Sequence, residues 1–340
     1  MTLTSAAPRP LALTMGEPGG VGGEITIKAW NALRKSGPTF FVIDDPARLT
    51  ALGARVAEIA SPSEADKVFA TALPVLSLGA RIAARLGVAD AKTAKHVVES
   101  IRCATTLALA GDAAGVVTNP ISKAALLADG FQFPGHTEYL GALTHDARMP
   151  AKAAARGPVM MLAGPALRTV PVSVHEPLAD AARRLTTDAI VRAATVTAQA
   201  LALDFGIERP RLAIAGLNPH AGEGGALGSE DGSIIAPAVE ALRKAGIDAR
   251  GPLPADTMFH EEARVQYDAA ICMYHDQALI PVKTLAFHDT VNVTLGLPIV
   301  RTSPDHGTAL DIAGKNVARA DSLIAAIRLA ADMAARRAVA

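Results

Sequence analysis

The sequence predicts an α/β fold built on a mostly parallel sheet. Short apolar runs alternate with longer stretches of helical periodicity, which is typical of strand–helix–strand units. Several of the runs are apolar at every position, and this indicates strands buried on both faces. The chain has 340 residues, of which 50% are hydrophobic. That length suggests about two domains of ~150 residues each.

The strand candidates are spread along most of the chain. They are Leu11–Thr14, Thr39–Ile43, Gly115–Thr118, Val159–Leu162, Thr169–Val174, Arg211–Ala215, Ala269–Met273 and Val291–Leu295. The helix candidates lie between and after them. They are Gly23–Lys35, Thr93–Ala110, Pro177–Phe205 and Asp321–Arg337, with a shorter stretch at Glu138–Leu143. No linker composition separates two halves, which favours domains that share a sheet or exchange segments.

Composition excludes several classes of protein. The 33 basic residues balance the 33 acidic ones, so we expect a small polar substrate and no nucleic acid. Cys103 and Cys272 are the two cysteines and form no C-x-x-C pair, as expected in a reducing compartment. No uncharged apolar run approaches the ~18 residues that span a membrane, and Met1–Pro10 lacks the features of a signal peptide. We therefore expect a cytoplasmic protein without a membrane partner.

Three histidines follow predicted strands: His175, His220 and His275. Open α/β sheets present ligand-binding groups at strand ends, so the three imidazoles are predicted to share one metal ion. A three-histidine site keeps a coordination position open, as catalytic sites do, and imidazole suits zinc, cobalt or nickel. Asp276 is a further ligand, an orienting group or a proton acceptor. The alternative for each histidine taken alone is a hydrogen-bonded structural role.

Two segments are candidates for anion binding. Met15–Glu24 is rich in glycine and lies between a predicted strand and a predicted helix, but it matches neither a Walker A loop nor a G-x-G-x-x-G fingerprint. A tight turn is the alternative. In Phe133–Tyr139, His136 and Thr137 precede a helix-like stretch and suit an anionic or hydroxylated ligand. The alternative is that Thr137 is only an N-cap.

The last third of the chain carries further candidates. They are Lys283, Asn292 and Arg301. Lys283 and Arg301 are expected near strand termini in a mostly apolar neighbourhood, where lysine and arginine suit phosphate or carboxylate. The alternative for the two cations is a surface salt bridge. Asp305–Asn316 combines glycines with polar residues, and is predicted to be either a loop over a nucleotide or a surface turn.

Long motifs identify a family resemblance. They are Gly216–Gly225, Gly251–Thr257, Met273–Gln277, Asn292–Pro298 and Arg301–Ala309. These segments resemble the 4-hydroxythreonine-4-phosphate dehydrogenases of vitamin B6 biosynthesis, and the resemblance extends from about Leu11 to the final helix. The chain departs from the family pattern at Gly19, Gly23 and Asn119, where alanine, proline and glycine are common.

The resemblance implies a fold of the isocitrate/isopropylmalate dehydrogenase type, with two α/β/α domains and a cleft between them. It places residues 1–125 and 295–340 in a first domain on the nucleotide side. Residues 126–294 then form a second domain with the metal ligands and the dimer contacts. The resemblance also implies a homodimer whose active site is completed by the neighbouring subunit.

The resemblance also assigns roles to individual residues. It makes His175, His220 and His275 the ligands of one divalent metal per subunit, with zinc expected first and magnesium or cobalt as other options. Asp276 and Lys283 join the histidines as catalytic candidates. The implied substrate-binding residues are His136, Thr137, Lys283, Asn292 and Arg301. The expected binding site for NAD, or alternatively NADP, comprises His306, Gly307, Asp311 and Asn316.

The implied reaction is an NAD- and metal-dependent oxidation of 4-phosphooxy-L-threonine to 2-amino-3-oxo-4-phosphooxybutanoate. This product decarboxylates to 3-amino-2-oxopropyl phosphate, in the synthesis of pyridoxal phosphate. Asp256 and Asp276 are candidates for proton handling. The alternatives are a paralogous dehydrogenase of erythronate or threonate 4-phosphate, a zinc-dependent hydrolase using the same histidines, and a non-catalytic binder of phosphorylated ligands.

Overall fold

The computed structural model describes residues 9–339. The prediction that Met1–Pro10 is not a signal peptide concerns a segment whose first eight residues lie outside the described part of the chain. The chain divides into two compact units. Unit 1 comprises the described residues up to Ala147 together with Pro298–Ala338, and unit 2 is chiefly Arg148–Leu297. The family resemblance implies boundaries near residues 125 and 295.

The chain alternates strands and helices along its whole described length. The strands are β1 (Leu11–Thr14), β2 (Phe40–Asp44), β3 (Val56–Ile59), β4 (Leu73–Ser77), β5 (Val116–Val117), β6 (Val159–Ala163), β7 (Arg168–Pro171), β8 (Arg211–Ala215), β9 (Asp248–Leu253), β10 (Ala269–Cys272), β11 (Val291–Leu295) and β12 (Arg301–Pro304). The helices are α1 (Gly22–Leu33), α2 (Pro46–Ala51), α3 (Ala65–Val68), α4 (Ala94–Ala110), α5 (Lys123–Ala128), α6 (His136–Leu143), α7 (Leu178–Arg184), α8 (Thr187–Asp204), α9 (Ala236–Lys244), α10 (Glu261–Arg264), α11 (His275–Ala286) and α12 (Asp321–Val339).

Unit 1 contains a parallel sheet with the strand order β3-β4-β2-β1-β5-β12. Every residue of β1 and β2 is buried, which is the burial that parallel strands need when helices cover both faces. Helix α4 packs against β1 and β2, and buries Val97, Ile101 and Ala104 at helical spacing. The sheet edge with the strand carboxyl ends is therefore the place where this unit can present polar groups.

Unit 2 contains a mixed sheet with the order β11-β6-β7-β10-β8-β9. Strand β6 pairs antiparallel with β11 and with β7, whereas β7, β10, β8 and β9 are parallel. The carboxyl ends of β7, β10 and β8 consequently lie at one edge of the sheet. His175, His275 and His220 follow these three strands in turn, so the topology of unit 2 explains why the three histidines occur after strands.

The α/β prediction is confirmed, and the strand predictions at Leu11–Thr14, Arg211–Ala215 and Val291–Leu295 match the observed bounds. The single helix predicted over Pro177–Phe205 is wrong. It is two helices, α7 and α8, because the Thr186 side chain accepts a hydrogen bond from the Ala189 N–H and caps a new helix.

Four strands were not predicted: β3, β4, β9 and β12. Pro74 lies in β4 and Pro252 in β9, and proline removes a donor from the sheet and weakens any strand pattern. Strand β12 is the short polar-rich segment Arg-Thr-Ser-Pro, yet all four of its residues are buried. Within residues 9–339, no helix combines the length and the apolar character needed to cross a membrane.

Candidate active site

His175 and His275 lie close together in unit 2. Their ring centroids are 5.9 Å apart, and both side chains line a cavity of about 430 Å³ that also contains Asp276. His275 opens α11, while three residues separate His175 from the end of β7. Asp276 Oδ1 lies 2.7 Å from His275 Nδ1. A carboxylate that accepts a hydrogen bond from the Nδ1–H group leaves Nε2 free of a proton and able to bind a metal, a common arrangement in histidine metal sites.

His220 lies on a strained loop after β8. His220, Ala221 and Glu223 have φ values of 52°, 52° and 42°, in the left-handed region that non-glycine residues rarely adopt. The buried Asp231 carboxylate holds the start of this loop. It accepts the Leu217 N–H at 2.8 Å and the Asn218 N–H at 3.2 Å. Strain held by a buried hydrogen-bond network is typical of functional sites.

Gln277 connects the segments that carry His275 and His220. Its Oε1 accepts the Met273 N–H at 2.7 Å, and its Nε2 donates to the Gly216 carbonyl at 2.8 Å. Gln277 is 8% exposed, so both hydrogen bonds are shielded from water. No role for Gln277 or Asp231 is predicted from the sequence. The signal for Gln277 was its place in the Met-Tyr-His-Asp-Gln motif.

The structure does not gather the three histidines into one cluster. Among the described residues, no group of three or more His, Cys, Asp or Glu side chains is placed to hold one metal ion. His175 and His275 supply nitrogen donors of the right chemistry for a transition metal, whereas His220 is not among the residues that line their cavity. The three-histidine metal site therefore stays a prediction.

The other candidates of unit 2 lie on different elements. Lys283 lies within α11 rather than near a strand terminus, which corrects the sequence expectation, and its ammonium is 5.7 Å from the Phe287 ring centroid. Asn292 lies in β11. Its Oδ1 is buried, and no hydrogen-bond partner for it exists among the described residues. A buried acceptor of this kind is an available contact for a ligand. Asp256 lies exposed in the 3₁₀ turn Ala255–Thr257.

Unit 1 brings His136 and Arg301 together. Arg301 is 3% exposed and opens β12, so it is not a surface salt-bridge residue. Its Nη2 donates to Thr118 Oγ1 at 2.7 Å. Burial lowers the pKa of Arg301 to about 10, so the guanidinium stays charged at neutral pH. Burial also holds the pKa of His136 well below its usual range, and the nearby charges of Arg301 and Lys123 add to this effect.

His136 offers a buried nitrogen to a ligand. The residue is partly exposed, but its Nε2 is buried and meets no hydrogen-bond partner within residues 9–339. Helix α6 begins at His136 with Gly135 as its N-cap, so Thr137 occupies the second helical position and is not the N-cap. An imidazole at a helix start, beside a buried guanidinium, provides an environment suited to an anion.

The glycine-rich loop is explained by packing within unit 1. The Val21 N–H donates to the Thr308 carbonyl at 3.0 Å, and the Gly87 N–H donates to the Gly19 carbonyl at 2.8 Å. A β-carbon on Gly20 would lie 2.7 Å from the Thr308 oxygen, so only glycine permits this approach. The structure thus favours the tight-turn interpretation of Met15–Glu24.

The candidate nucleotide loop is anchored by α1. His306, Gly307, Asp311 and Asn316 are all exposed. Lys28 on α1 donates to the Asn316 carbonyl at 3.0 Å and to the Ala318 carbonyl at 2.7 Å. The Lys28 side chain therefore holds the end of the loop through two backbone carbonyls. Gly307 and the side chains of His306, Asp311 and Asn316 remain accessible to a ligand.

Unit 2 has two imidazoles and a carboxylate along one cavity after its parallel strands, and unit 1 has a buried guanidinium near an imidazole. Such groups are typical of α/β enzymes that bind small anionic ligands. A sequence model described as pyridoxal phosphate biosynthetic protein PdxA matches residues 39–330. A 4-hydroxythreonine-4-phosphate dehydrogenase of Caulobacter vibrioides is 58% identical over 97% of this chain and 99% of its own length. The chain therefore belongs to the PdxA family, which confirms the resemblance found in the sequence.

Two solved structures of related proteins are similar to this chain over nearly its whole length. The 4-hydroxythreonine-4-phosphate dehydrogenase of Klebsiella pneumoniae superimposes with a TM-score of 0.84 at 36% identity, covering 97% of this chain and 99% of that one. A terephthalate 1,2-cis-dihydrodiol dehydrogenase of Burkholderia xenovorans gives a TM-score of 0.63 at 30% identity, covering 95% and 98%. Both relatives are named as dehydrogenases, but they act on different substrates.

Proposed function

We propose that this protein oxidises the secondary alcohol of 4-phosphooxy-L-threonine with NAD, or NADP, and a divalent metal. The ketone product then loses carbon dioxide to give 3-amino-2-oxopropyl phosphate. The observation that carries this proposal is 58% identity over 97% of the chain to a 4-hydroxythreonine-4-phosphate dehydrogenase. The isocitrate/isopropylmalate dehydrogenase type of domain arrangement and the homodimer stay predictions.

In this proposal, unit 2 supplies the ligands of the metal. His175 and His275 would hold it, with His220 as the third ligand and Asp276 fixing the tautomer of His275. A bound divalent ion stabilises negative charge on a substrate oxygen, and the nicotinamide accepts the hydride. The exposed carboxylates of Asp276 and Asp256 are the candidates for accepting the hydroxyl proton.

Unit 1 supplies anion recognition. Arg301, oriented by Thr118, presents a buried permanent charge. His136, kept neutral by burial, can donate or accept one hydrogen bond through Nε2. Thr137 is a further proposed substrate contact in unit 1, and Asn292 and Lys283 are the proposed substrate contacts in unit 2. The loop residues His306, Gly307, Asp311 and Asn316 are proposed to bind the dinucleotide.

The test measures NADH formation from 4-phosphooxy-threonine by the absorbance of the reduced nicotinamide. The assay is run before and after a chelator removes the metal. Activity that disappears with chelator and returns with zinc, magnesium or cobalt supports the proposal. Metal-dependent hydrolysis without a nicotinamide requirement would instead indicate a zinc hydrolase. Ligand binding without turnover under every metal and cofactor combination would indicate a non-catalytic binder.

A second candidate function is dehydrogenation of a different substrate, which the likeness to a dihydrodiol dehydrogenase favours. Comparing kcat/KM for 4-phosphooxy-threonine, erythronate 4-phosphate, threonate 4-phosphate and an unphosphorylated cis-dihydrodiol separates these options. The proposal requires phosphooxy-threonine to give the highest value.

A further inference from the structure

Lys123 lies beside the candidate anion site of unit 1 without a structural task of its own. It is the first residue of α5 and is exposed. Within the described part of the chain it makes no ion pair, unlike Lys28, which pairs with Glu24 at 2.8 Å. An exposed lysine is usually explained as a solubilising group, so its position relative to the site decides whether it has a further role.

The geometry around Gly135 places the Lys123 ammonium close to His136. A β-carbon built on Gly135 would lie 3.4 Å from Lys123 Cε and 3.8 Å from Lys123 Nζ. Gly135 is the N-cap of α6 and directly precedes His136. The lysine side chain therefore passes over the start of the helix that carries the buried imidazole.

Two cations act on His136 at this point. Lys123 and Arg301 both act electrostatically on His136. Glu138 Oε2 would lie 3.5 Å from the same β-carbon position on Gly135, and it interacts electrostatically with Arg301. Two permanent cations thus place positive charge beside the buried Nε2 of His136. A dianion compensates such a charge better than a neutral or monoanionic group.

We propose that Lys123 is a further substrate-binding residue and that, with Arg301 and His136, it binds a phosphomonoester dianion. Lysine serves as a mobile point charge for phosphate, whereas arginine offers a fixed planar fork. The buried, oriented Arg301 fixes the position of the anion, and the exposed Lys123 closes over it. This inference deepens the proposed function and rests on it for the identity of the phosphorylated ligand.

The experiment compares Lys123→Ala and Lys123→Arg with wild type, and uses Lys67→Ala as the matched control. Lys67 is an exposed helical lysine on α3. We expect Lys123→Ala to raise KM for 4-phosphooxy-threonine about 10- to 100-fold, the range for loss of a charged hydrogen bond, with kcat much less affected. Lys123→Arg should recover most of the affinity, and Lys67→Ala should match wild type.

Direct binding of inorganic phosphate, measured by calorimetry on the full chain, provides the readout that needs no turnover. We expect phosphate binding to weaken in Lys123→Ala and to persist in Lys67→Ala. Equal phosphate affinity in these two variants would overturn the inference, and so would an absence of phosphate binding by wild type. Phosphate binding that depends on Lys123 in a protein that forms no NADH would leave the inference standing and refute the proposed function.

Unphosphorylated 4-hydroxythreonine distinguishes phosphate from carboxylate as the group that Lys123 contacts. If Lys123 binds the phosphate, the alanine variant should handle the unphosphorylated compound as wild type does. An equal loss of affinity for both compounds would assign the lysine to the carboxylate end and contradict the inference.

Discussion

Replacing Gln277 by methionine tests whether one buried amide organises two of the predicted metal-binding segments. Methionine has a similar length but cannot reproduce the hydrogen bonds to the Met273 N–H and the Gly216 carbonyl. Each unpaired buried backbone group costs about 1–3 kcal/mol. Two such groups lose their partner, which sums to about 2–6 kcal/mol. Single substitutions rarely cost more than about 4 kcal/mol, so we expect Gln277→Met to lower the free energy of unfolding by about 2–4 kcal/mol.

The stability effect is measured by thermal unfolding of the full chain, and the matched control is Gln266→Met. Gln266 is exposed, and its side chain donates to the nearby Glu262 carbonyl at 3.3 Å. At about 2–4 °C per kcal/mol, the Tm of Gln277→Met should fall by roughly 4–16 °C. Surface substitutions usually change stability by less than about 0.5 kcal/mol, so Gln266→Met should be nearly neutral.

Metal affinity is the second readout for Gln277→Met. Loss of groups that orient metal ligands typically weakens binding about 10- to 100-fold. Competition with a chromophoric chelator should show a weakening in this range for zinc, and no change for Gln266→Met. If Gln277→Met keeps both the Tm and the zinc affinity of wild type, the bridge does not organise the His275 and His220 segments.

Two further predictions concern the histidines. Because His136 has a lowered pKa in the folded protein, the unfolded chain binds more protons below about pH 6.5, and stability should fall as pH falls. At pH 5.5 the folded state loses at most about 1.4 kcal/mol of stability through this group. His136→Asn should therefore flatten the dependence of Tm on pH between about 7.5 and 5.5. An unchanged slope in this variant would contradict the prediction. If the predicted homodimer draws His175 and His220 of one site from different subunits, an equal mixture of His175→Ala and His220→Ala chains should recover about a quarter of the wild-type sites after subunit exchange. Inactive mixtures that contain proven heterodimers would place both ligands in one subunit.

The sequence predicted the fold class and most strands because buried parallel strands leave an unmistakable apolar signal. Strand β1 shows that signal at every position. The failures are places where local chemistry opposes the pattern. Thr186 falls within the helix predicted over Pro177–Phe205, yet its hydroxyl caps a new helix. Strand β12 looks polar in the sequence, but its Arg301 is buried against Thr118, a contact between residues that are 183 positions apart.

The candidate site was predictable only for residues whose side-chain chemistry is distinctive. Histidines after strands can be recognised in a sequence, and His175 and His275 do line one cavity. Gln277, Asp231 and Lys123 could not be found in the same way, because an amide, a carboxylate and an ammonium are common on any surface. Their roles come from distances to backbone groups and to helix starts, and only the fold creates these distances.

The charge states of His136 and Arg301 explain why this part of the site suits a phosphorylated ligand. Burial removes water from the Arg301 guanidinium, and the lowered pKa records how much its charge is disfavoured there. Burial, with the nearby charge of Arg301 adding to it, also lowers the pKa of His136, so this residue is a neutral group with a buried nitrogen at neutral pH. A phosphate dianion compensates for the lost hydration, because it neutralises the guanidinium and can form a hydrogen bond with the imidazole nitrogen. The burial and the positive charge that lower these two pKa values are therefore also the properties that favour the binding of a phosphate dianion.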